Sequence, residues 1–129
     1  MGPPKTNMKL LRIGKLNQEK PAFIDADGIT RDLSSVIQDL YPETINQETI
    51  ETINNINPKK LPKISNKTRI GACVSNPQKF IGIGLNYTDH AEETGMKIPS
   101  EPIVFLKANS CISGPYDDVI IPKKSKKTD

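Results

Sequence analysis

The dipeptide Asp27-Gly28 lies between two short apolar runs, residues 21–25 and 29–33. Asp-Gly in this position is a strong signal for a tight β-hairpin, because glycine readily adopts the positive φ that the turn requires. A further apolar run at residues 8–14 precedes the hairpin and predicts another strand. The first part of the chain is therefore expected to form a small β-rich unit.

Two short helices are predicted after the hairpin. The first covers residues 35–40 and ends before Pro42, because proline cannot continue a helix. The second covers residues 44–57, where isoleucines recur at helical spacing and either Thr44 or Asn46 can cap the N-terminus. These elements complete a small N-terminal domain over residues 8–57.

The remaining domain boundaries follow from changes in amino-acid composition along the chain. Residues 1–7 show no periodic pattern and are interpreted as a disordered extension. Residues 58–68 are rich in proline and lysine, which predicts a linker. The second unit then covers residues 69–129. The chain is thus expected to hold two small units.

Four strands and one short helix are predicted in the second unit. The helix precedes Gly95, which is expected to close it, and the strands cover residues 69–74, 79–85, 103–107 and 118–122. The fold class is therefore α+β and β-rich. Counted with glycine in place of tyrosine, the apolar fraction is about 39%, against about 45–50% in ordinary globular domains. A chain of this composition can build only a modest core, as an incomplete domain would.

Charge and cysteine content exclude several classes of partner. The net charge of +3 comes from residues 123–129, which hold four lysines and one aspartate, and residues 1–122 are neutral, so a nucleic-acid partner is not expected. No apolar run approaches the roughly 20 residues of a membrane span, so no membrane partner is expected either. Cys73 and Cys111 lack metal-site spacing and are predicted to be free, buried or half-buried thiols of a cytoplasmic protein, with a disulfide between them as the alternative.

His90, the only histidine, is the residue that points most directly to chemistry. It lies three residues before Glu93 in the predicted helix, so the two positions share one helix face. A carboxylate beside an imidazole can fix its tautomer and raise its basicity, which suits proton abstraction or water activation. The alternatives are a structural histidine and an ordinary surface acid.

Other residues give weaker signals. Gly82 and Gly84 resemble the start of a dinucleotide-binding loop, but Tyr87 occupies the third glycine position, so close backbone packing is the preferred interpretation. Lys107 ends an apolar strand and is either solvated or faces an anionic ligand. Asp117 and Asp118 are interpreted as turn residues. No set of residues predicts a metal site.

Several segments resemble the fumarylacetoacetate hydrolase family. Residues 80–95, with the block Asn-Tyr-x-x-His-Ala-x-Glu, are the most specific, followed by residues 101–108 and 113–122. Residues 8–14 and 25–33 resemble the N-terminal domain of its ureidoglycolate lyase-like and 2-hydroxyhepta-2,4-diene-1,7-dioate isomerase-like members. The resemblance implies that the second unit is the first part of the family's mixed β-sheet roll.

The resemblance also implies an activity. Family members are Mg²⁺- or Mn²⁺-dependent homodimeric hydrolases, lyases or isomerases of keto-acid or ureidoglycolate-type small carboxylates. By resemblance, His90 would be the catalytic base, Glu93 would orient it, and Lys107 could bind the substrate anion.

The chain departs from the family pattern in one respect. The family's Glu-x-Glu metal ligands are not found after Lys107. We therefore expect a truncated N-terminal part of such an enzyme, inactive alone and binding no metal by itself. The alternative is a non-catalytic remnant that serves as an interaction or assembly module through an open sheet edge.

The metal expectation gives a direct prediction. Titration of Mg²⁺ into this polypeptide, followed by calorimetry, is expected to give only heats of dilution, because no convergent set of carboxylates is present. Saturable heat with a defined stoichiometry would contradict it.

Overall fold

The computed structural model describes residues 8–127, except for the side chains of Thr88 and His90. It contains five strands and two α-helices: β1 Lys9–Ile13, β2 Lys20–Ile24, β3 Thr30–Asp32, α1 Gln47–Asn54, β4 Phe80–Gly84, α2 Thr88–Glu93 and β5 Ile103–Lys107. The chain divides into two compact units. The first contains the residues up to Ser75 and those from Ser113 onward, and the second is Asn76–Ile112.

The first unit contains a three-stranded antiparallel sheet in the order β1-β2-β3. Leu10 pairs with Phe23, and Ala22 pairs with Asp32. The turn between β2 and β3 is held by Asp25, whose carboxylate accepts hydrogen bonds of 2.9 Å from the amides of Asp27 and Ile29. Gly28 has a φ of +77°, as the Asp-Gly turn requires. The predicted hairpin is confirmed.

The core of the first unit lies on one face of this sheet. Its buried members are Phe23, Leu33, Ile53 and Leu61. Leu61 belongs to the segment 58–68, which the composition predicts to be a linker. A short 3₁₀ turn, Pro58–Lys60, precedes Leu61, and an isolated bridge pairs Lys63 with Arg31. This segment therefore packs onto the hairpin and contributes to the core.

Helix α1 forms as predicted but is shorter. The Asn46 side chain accepts a 2.9 Å hydrogen bond from the Thr49 amide, which makes it the N-cap, and Ile53 is the buried residue of the helix. The prediction of a helix over residues 35–40 is wrong. Only a single turn forms, in which the amides of residues 36 and 37 donate to the Leu33 carbonyl. The Asp39 carboxylate binds Arg12 and accepts a hydrogen bond from the Leu40 amide, so that amide bonds to a side chain rather than to a helical carbonyl.

The second unit contains a two-stranded antiparallel ribbon, in which β4 pairs with β5. The helix α2 lies between these two strands in sequence. Gly82 pairs with Phe105, and the Phe105 ring occupies the space that a Cβ at residue 82 would need. The interpretation of this glycine as a site of close packing is confirmed. The predicted strands over residues 79–85 and 103–107 are confirmed as well.

Two further predicted strands do not form. Residues 69–74 make only an isolated bridge, between Ile13 and Ile70, with short backbone hydrogen bonds on either side. Residues 118–122 are exposed and pair with neither of the two sheets formed by the described residues. Apolar character alone therefore overpredicted strand at both places.

Two smaller observations concern the predicted environment. Cys73 and Cys111 are both free, as expected, but both are exposed rather than buried. Among residues 8–127, no helix has the length and apolar character needed to cross a membrane.

The core assignment predicts a large difference between two leucines. Leu33 is fully buried, whereas Leu16 is 65% exposed. Leu33→Ala is expected to lower the free energy of unfolding by about 2–5 kcal/mol, because it removes packed methyl groups and leaves a cavity. Leu16→Ala should change it by less than about 0.5 kcal/mol. Urea denaturation of both variants measures the difference, and equal effects would contradict this core.

Candidate functional site

Helix α2 follows directly from the ribbon. β4 ends at Gly84, and the chain turns through Leu85, whose φ of +53° lies in the left-handed region. The helix ends at Glu93, and the chain leaves it through Gly95, which has a φ of +67°. The Gly95 amide donates to the Glu92 carbonyl, and the Met96 amide donates to the Ala91 carbonyl. A glycine in this conformation at a helix C-terminus is a common stop signal. The predicted closure of the helix at Gly95 is confirmed.

His90 and Glu93 both belong to α2. Residues three apart on an α-helix are about 60° apart around its axis, so these two positions are neighbours. Ala91 is buried, and Glu93 is exposed. The His90 side chain is not among the described groups, so its contact with the Glu93 carboxylate stays a prediction.

Lys107 lies at the other end of the ribbon. It pairs with Phe80, the first residue of β4, whereas the connection to α2 leaves from the last residue of β4. The Lys107 ammonium is 5.1 Å from the centre of the Phe80 ring and 5.8 Å from that of Phe105. These distances are typical of cation–π interactions, which hold the ammonium at the strand end. Its role toward a substrate anion stays a prediction.

The first unit contains a chain of alternating charges that the sequence did not reveal. Arg12, in the middle of the apolar strand β1, binds the Asp39 carboxylate with hydrogen bonds of 2.9 and 3.0 Å. Both side chains are buried, and a second carboxylate, Glu19, lies 3.9 Å from the Arg12 guanidinium. With two carboxylates beside it, the buried guanidinium has its positive charge balanced and its N–H groups hydrogen-bonded.

Arg69 continues this chain. It donates to Glu19 at 3.0 Å and binds Asp117 through two hydrogen bonds of 2.8 and 2.6 Å. The Asp117 carboxylate also accepts a 2.8 Å hydrogen bond from the Gly114 amide. The prediction that Asp117 is a turn residue is thus confirmed, with an added role as the ion-pair partner that joins residues 113–117 to the sheet.

The pKa values of these groups follow from their contacts. The hydrogen bond from Arg69, with a second from the Gly114 amide, lowers the pKa of Asp117. Burial would raise the pKa of Asp39, but hydrogen bonds from Arg12 and from the Leu40 amide outweigh it and lower that pKa. Glu19 behaves in the same way, with its own backbone amide and Arg69 outweighing burial. All three carboxylates are therefore stabilised in the charged form.

The sequence did not predict this series of ion pairs, because the paired residues lie far apart in the sequence. The one available signal was Arg12 inside the apolar run of residues 9–13, since an arginine there requires a buried anion. Within the described residues, no group of three or more His, Cys, Asp or Glu side chains could hold a metal ion. The carboxylates of Asp39, Glu19 and Asp117 are instead paired with arginines.

Comparison with known proteins relates part of the chain to a family. Residues 79–129, which contain β4, α2 and β5, match the family described as fumarylacetoacetate (FAA) hydrolase C-terminal. This segment is similar to that family. The resemblance seen in residues 80–95, 101–108 and 113–122 is thereby confirmed at the level of the family. The subfamily stays a prediction.

Curated relatives extend the similarity over most of the chain. A protein of Burkholderia ambifaria (strain MC40-6) is 52% identical over 122 residues, which is 95% of this chain. Proteins of Burkholderia lata and Burkholderia multivorans show the same identity over the same length. Their names give hydrolase as a provisional activity and state no substrate. The chain spans 43% of the length of each of these relatives.

The ion pairs predict loss of stability in acid. Asp117, Asp39 and Glu19 have pKa values below their ordinary 3.8, 3.8 and 4.5, so the unfolded chain takes up protons more readily than the folded one. Urea denaturation should therefore give a constant free energy of unfolding from pH 7 to about 5, and a decrease as the pH falls below about 4.5 through the folded-state values.

A matched pair of variants tests the origin of this acid dependence. Asp117→Asn should lower the stability at pH 7 and flatten the decrease in acid, because the ion pair with Arg69 is then absent at every pH. Asp118→Asn removes a neighbouring exposed carboxylate for which the structure gives no ion pair, and should change neither. Indistinguishable pH profiles for the two variants would contradict the assigned role of Asp117.

Proposed function

We propose that this chain carries the N-terminal domain and the first part of the catalytic domain of a hydrolase of the fumarylacetoacetate hydrolase family. The observation that carries the proposal is the match of residues 79–129 to that family, together with 52% identity to curated relatives named as hydrolases. The ribbon β4–β5 would then belong to a mixed β-sheet roll. The antiparallel pairing of the two strands supports this assignment.

We assign the proton-transfer step to α2. In this proposal the neutral imidazole of His90 takes a proton from water or from a carbon beside a carbonyl group, which generates the nucleophile or carbanion. Glu93 is the positioning residue: its carboxylate would accept the second ring N–H, fix the tautomer and raise the pKa of the imidazole. The three-residue spacing in an observed helix supports this pairing.

The substrate class proposed is a small carboxylate of the keto-acid or ureidoglycolate type. Lys107 is the proposed anion-binding group. Its ammonium lies over two aromatic rings, which leaves it exposed and restrained at the strand end. A restrained cation loses less side-chain entropy when it binds a carboxylate than a free one does.

The family resemblance also implies Mg²⁺ or Mn²⁺, and the described residues do not fit such an ion. No group of three His, Cys, Asp or Glu side chains that could hold an ion is found in the described part of the chain, and the carboxylates Asp39 and Asp117 are bound by arginines. No step is therefore derived through a metal. The proposed cytoplasmic location follows from the free cysteines, and the proposed homodimeric assembly follows from the resemblance.

The proposal is tested in a chimera. Residues 8–127 of this chain would replace the corresponding region of the Burkholderia ambifaria relative, and the product would be assayed with fumarylacetoacetate, ureidoglycolate and simple β-keto acids. His90→Ala is expected to lower kcat by about 10²–10⁴-fold, because it removes the general base. A chimera that turns over none of these compounds, or a His90→Ala variant with unchanged kcat, would refute the proposal.

The role of Glu93 has its own readout within the same experiment. Glu93→Gln should lower kcat and move the acid limb of the pH–rate profile to lower pH, because loss of the carboxylate lowers the pKa of the imidazole. Glu92→Gln alters the adjacent exposed carboxylate and serves as the control, with an unchanged profile. A pH profile that does not move in Glu93→Gln would remove Glu93 from the mechanism.

A further inference from the structure

Two glycines, Gly82 and Gly84, interrupt the apolar strand β4 and have no part in the proposed proton transfer. Neither has a positive φ, so backbone conformation does not require glycine at either position. A Cβ at residue 82 would lie 2.6 Å from Cε2 of the Phe105 ring and closer still to Cζ, whereas a Cβ at residue 84 would come no nearer to that ring than 3.3 Å. Residue 82 is therefore the glycine that makes room for the Phe105 ring.

The strand register places this ring beside Lys107. Gly82 pairs with Phe105, and Phe80 pairs with Lys107. Directly paired residues of an antiparallel ribbon share a face, and so do residues two apart along one strand. The Lys107 ammonium accordingly lies 5.1 Å from the centre of the Phe80 ring and 5.8 Å from that of Phe105. We call Phe80 and Phe105 the aromatic pair.

The aromatic pair attracts the ammonium without neutralising it. The face of an aromatic ring is negative because of its quadrupole, and it draws a cation to within about 6 Å of the ring centre. A ring carries no net charge, so the cation keeps its full charge for an anion. The arginines of the first unit differ, because each of them already binds a carboxylate. In the described part of the chain, the ion pairs do not include Lys107.

The position of the ammonium depends on Gly82 through the Phe105 ring. A methyl group at residue 82 would occupy the space of the ring, so the ring would have to turn away from the strand. Lys107 would then keep one of its two aromatic neighbours. A methyl group at residue 84 requires the ring to move by a few tenths of an ångström. The two glycines thus make a matched pair for experiment.

We propose that the aromatic pair positions the Lys107 ammonium for the carboxylate group of the substrate, and that Gly82 makes this placement possible. The proposal rests on the anion-binding role given to Lys107 in the proposed function, but it is independent of His90 and Glu93. A cation held in place loses less side-chain entropy when it binds an anion. Loss of the aromatic pair should therefore raise KM and leave kcat almost unchanged.

The placement itself is tested by NMR on the intact chain. Protons above the face of an aromatic ring resonate upfield, so the ε-methylene protons of Lys107 are expected upfield of those of other lysines. Gly82→Ala and Phe80→Leu should each move these resonances toward the ordinary lysine position. Phe80→Tyr keeps an aromatic ring and should preserve the upfield position.

The role in anion binding is tested with pyruvate, a small keto acid, titrated into the same samples. Pyruvate is expected to shift the Lys107 resonances saturably, and Gly82→Ala and Phe80→Leu should raise its Kd by about 2–10-fold. In the Burkholderia ambifaria chimera the same variants should raise KM by a similar factor and change kcat by less than about 2-fold. Phe80→Tyr should restore both constants.

A failure of the proposed proton transfer gives a different result. His90→Ala should lower kcat in the chimera while the Lys107 resonances and the Kd for pyruvate stay unchanged. If the chimera shows no turnover, the catalytic assignment fails, and the NMR measurements on the intact chain still decide the role of the aromatic pair.

The controls separate this role from a general loss of structure. Gly84→Ala adds the same methyl group two residues along the strand, and Ile81→Ala truncates a side chain on the opposite face; both should leave the resonances, Kd and KM unchanged. If Gly82→Ala fails to fold, the two Phe80 variants decide. The proposal is overturned by ordinary lysine shifts for Lys107 in the unaltered chain, by pyruvate that leaves those shifts unchanged, or by a Kd that is the same in Phe80→Leu.

Discussion

The arginine in the middle of the first strand is the constraint around which the first unit is organised. A guanidinium buried among aliphatic side chains is tolerated only when anions are held close to it. Arg12 obtains them from Asp39 and Glu19, which lie on different segments of the chain. Glu19 then binds Arg69, and Arg69 binds Asp117. One buried charge thus determines the positions of four further charged residues.

This arrangement compensates for a small hydrophobic core. The apolar fraction of the chain is low, and the main buried cluster among the described residues of the first unit consists of Phe23, Leu33, Ile53 and Leu61. The Arg31–Asp25 pair adds a second buried contact at the hairpin, with a 2.8 Å hydrogen bond that lowers the pKa of Asp25. Directional ion pairs fix the register of loops that apolar packing alone would leave loosely defined.

The second unit has a different balance of forces. Its ribbon has a regular five-residue register, but the side chains of β5 are all exposed. The residues that suggest chemistry lie here, on α2 and at the end of β5. A catalytic base must be held within a fraction of an ångström of its working geometry, which requires surrounding packing. The proposed activity therefore needs packing around α2 and β5 beyond that supplied by the described residues.

Local patterns predicted the elements whose determinants are local. The Asp27-Gly28 turn, the Asn46 cap and the helix stop at Gly95 each depend on a few consecutive residues, and each was confirmed. The strand predicted over residues 118–122 failed because strand formation requires a neighbour that the pattern does not specify. The ion-pair chain was missed since Arg69 and Asp117 are 48 positions apart. Such pairs depend on the completed fold.

The predictable part of the candidate site was similarly local. The sequence placed His90 and Glu93 on one helix, and the structure contains that helix. It could not specify that Lys107 would pair with Phe80, at the end of the ribbon away from the start of α2, because strand register depends on the pairing of β4 with β5. The sequence therefore identified the candidate catalytic and binding residues, whereas the position of Lys107 relative to α2 follows from the β4–β5 register.

The central claim is that the first unit carries its own core whereas the ribbon lacks the layer that would stabilise it. Amide hydrogen exchange on the intact polypeptide tests this most directly, because protection reports the free energy of local opening. The account predicts slow exchange for the paired amides of β1 and β2, limited by unfolding of the whole unit, and much faster exchange for those of β4 and β5. Equal protection of the two sheets in the isolated chain would contradict it.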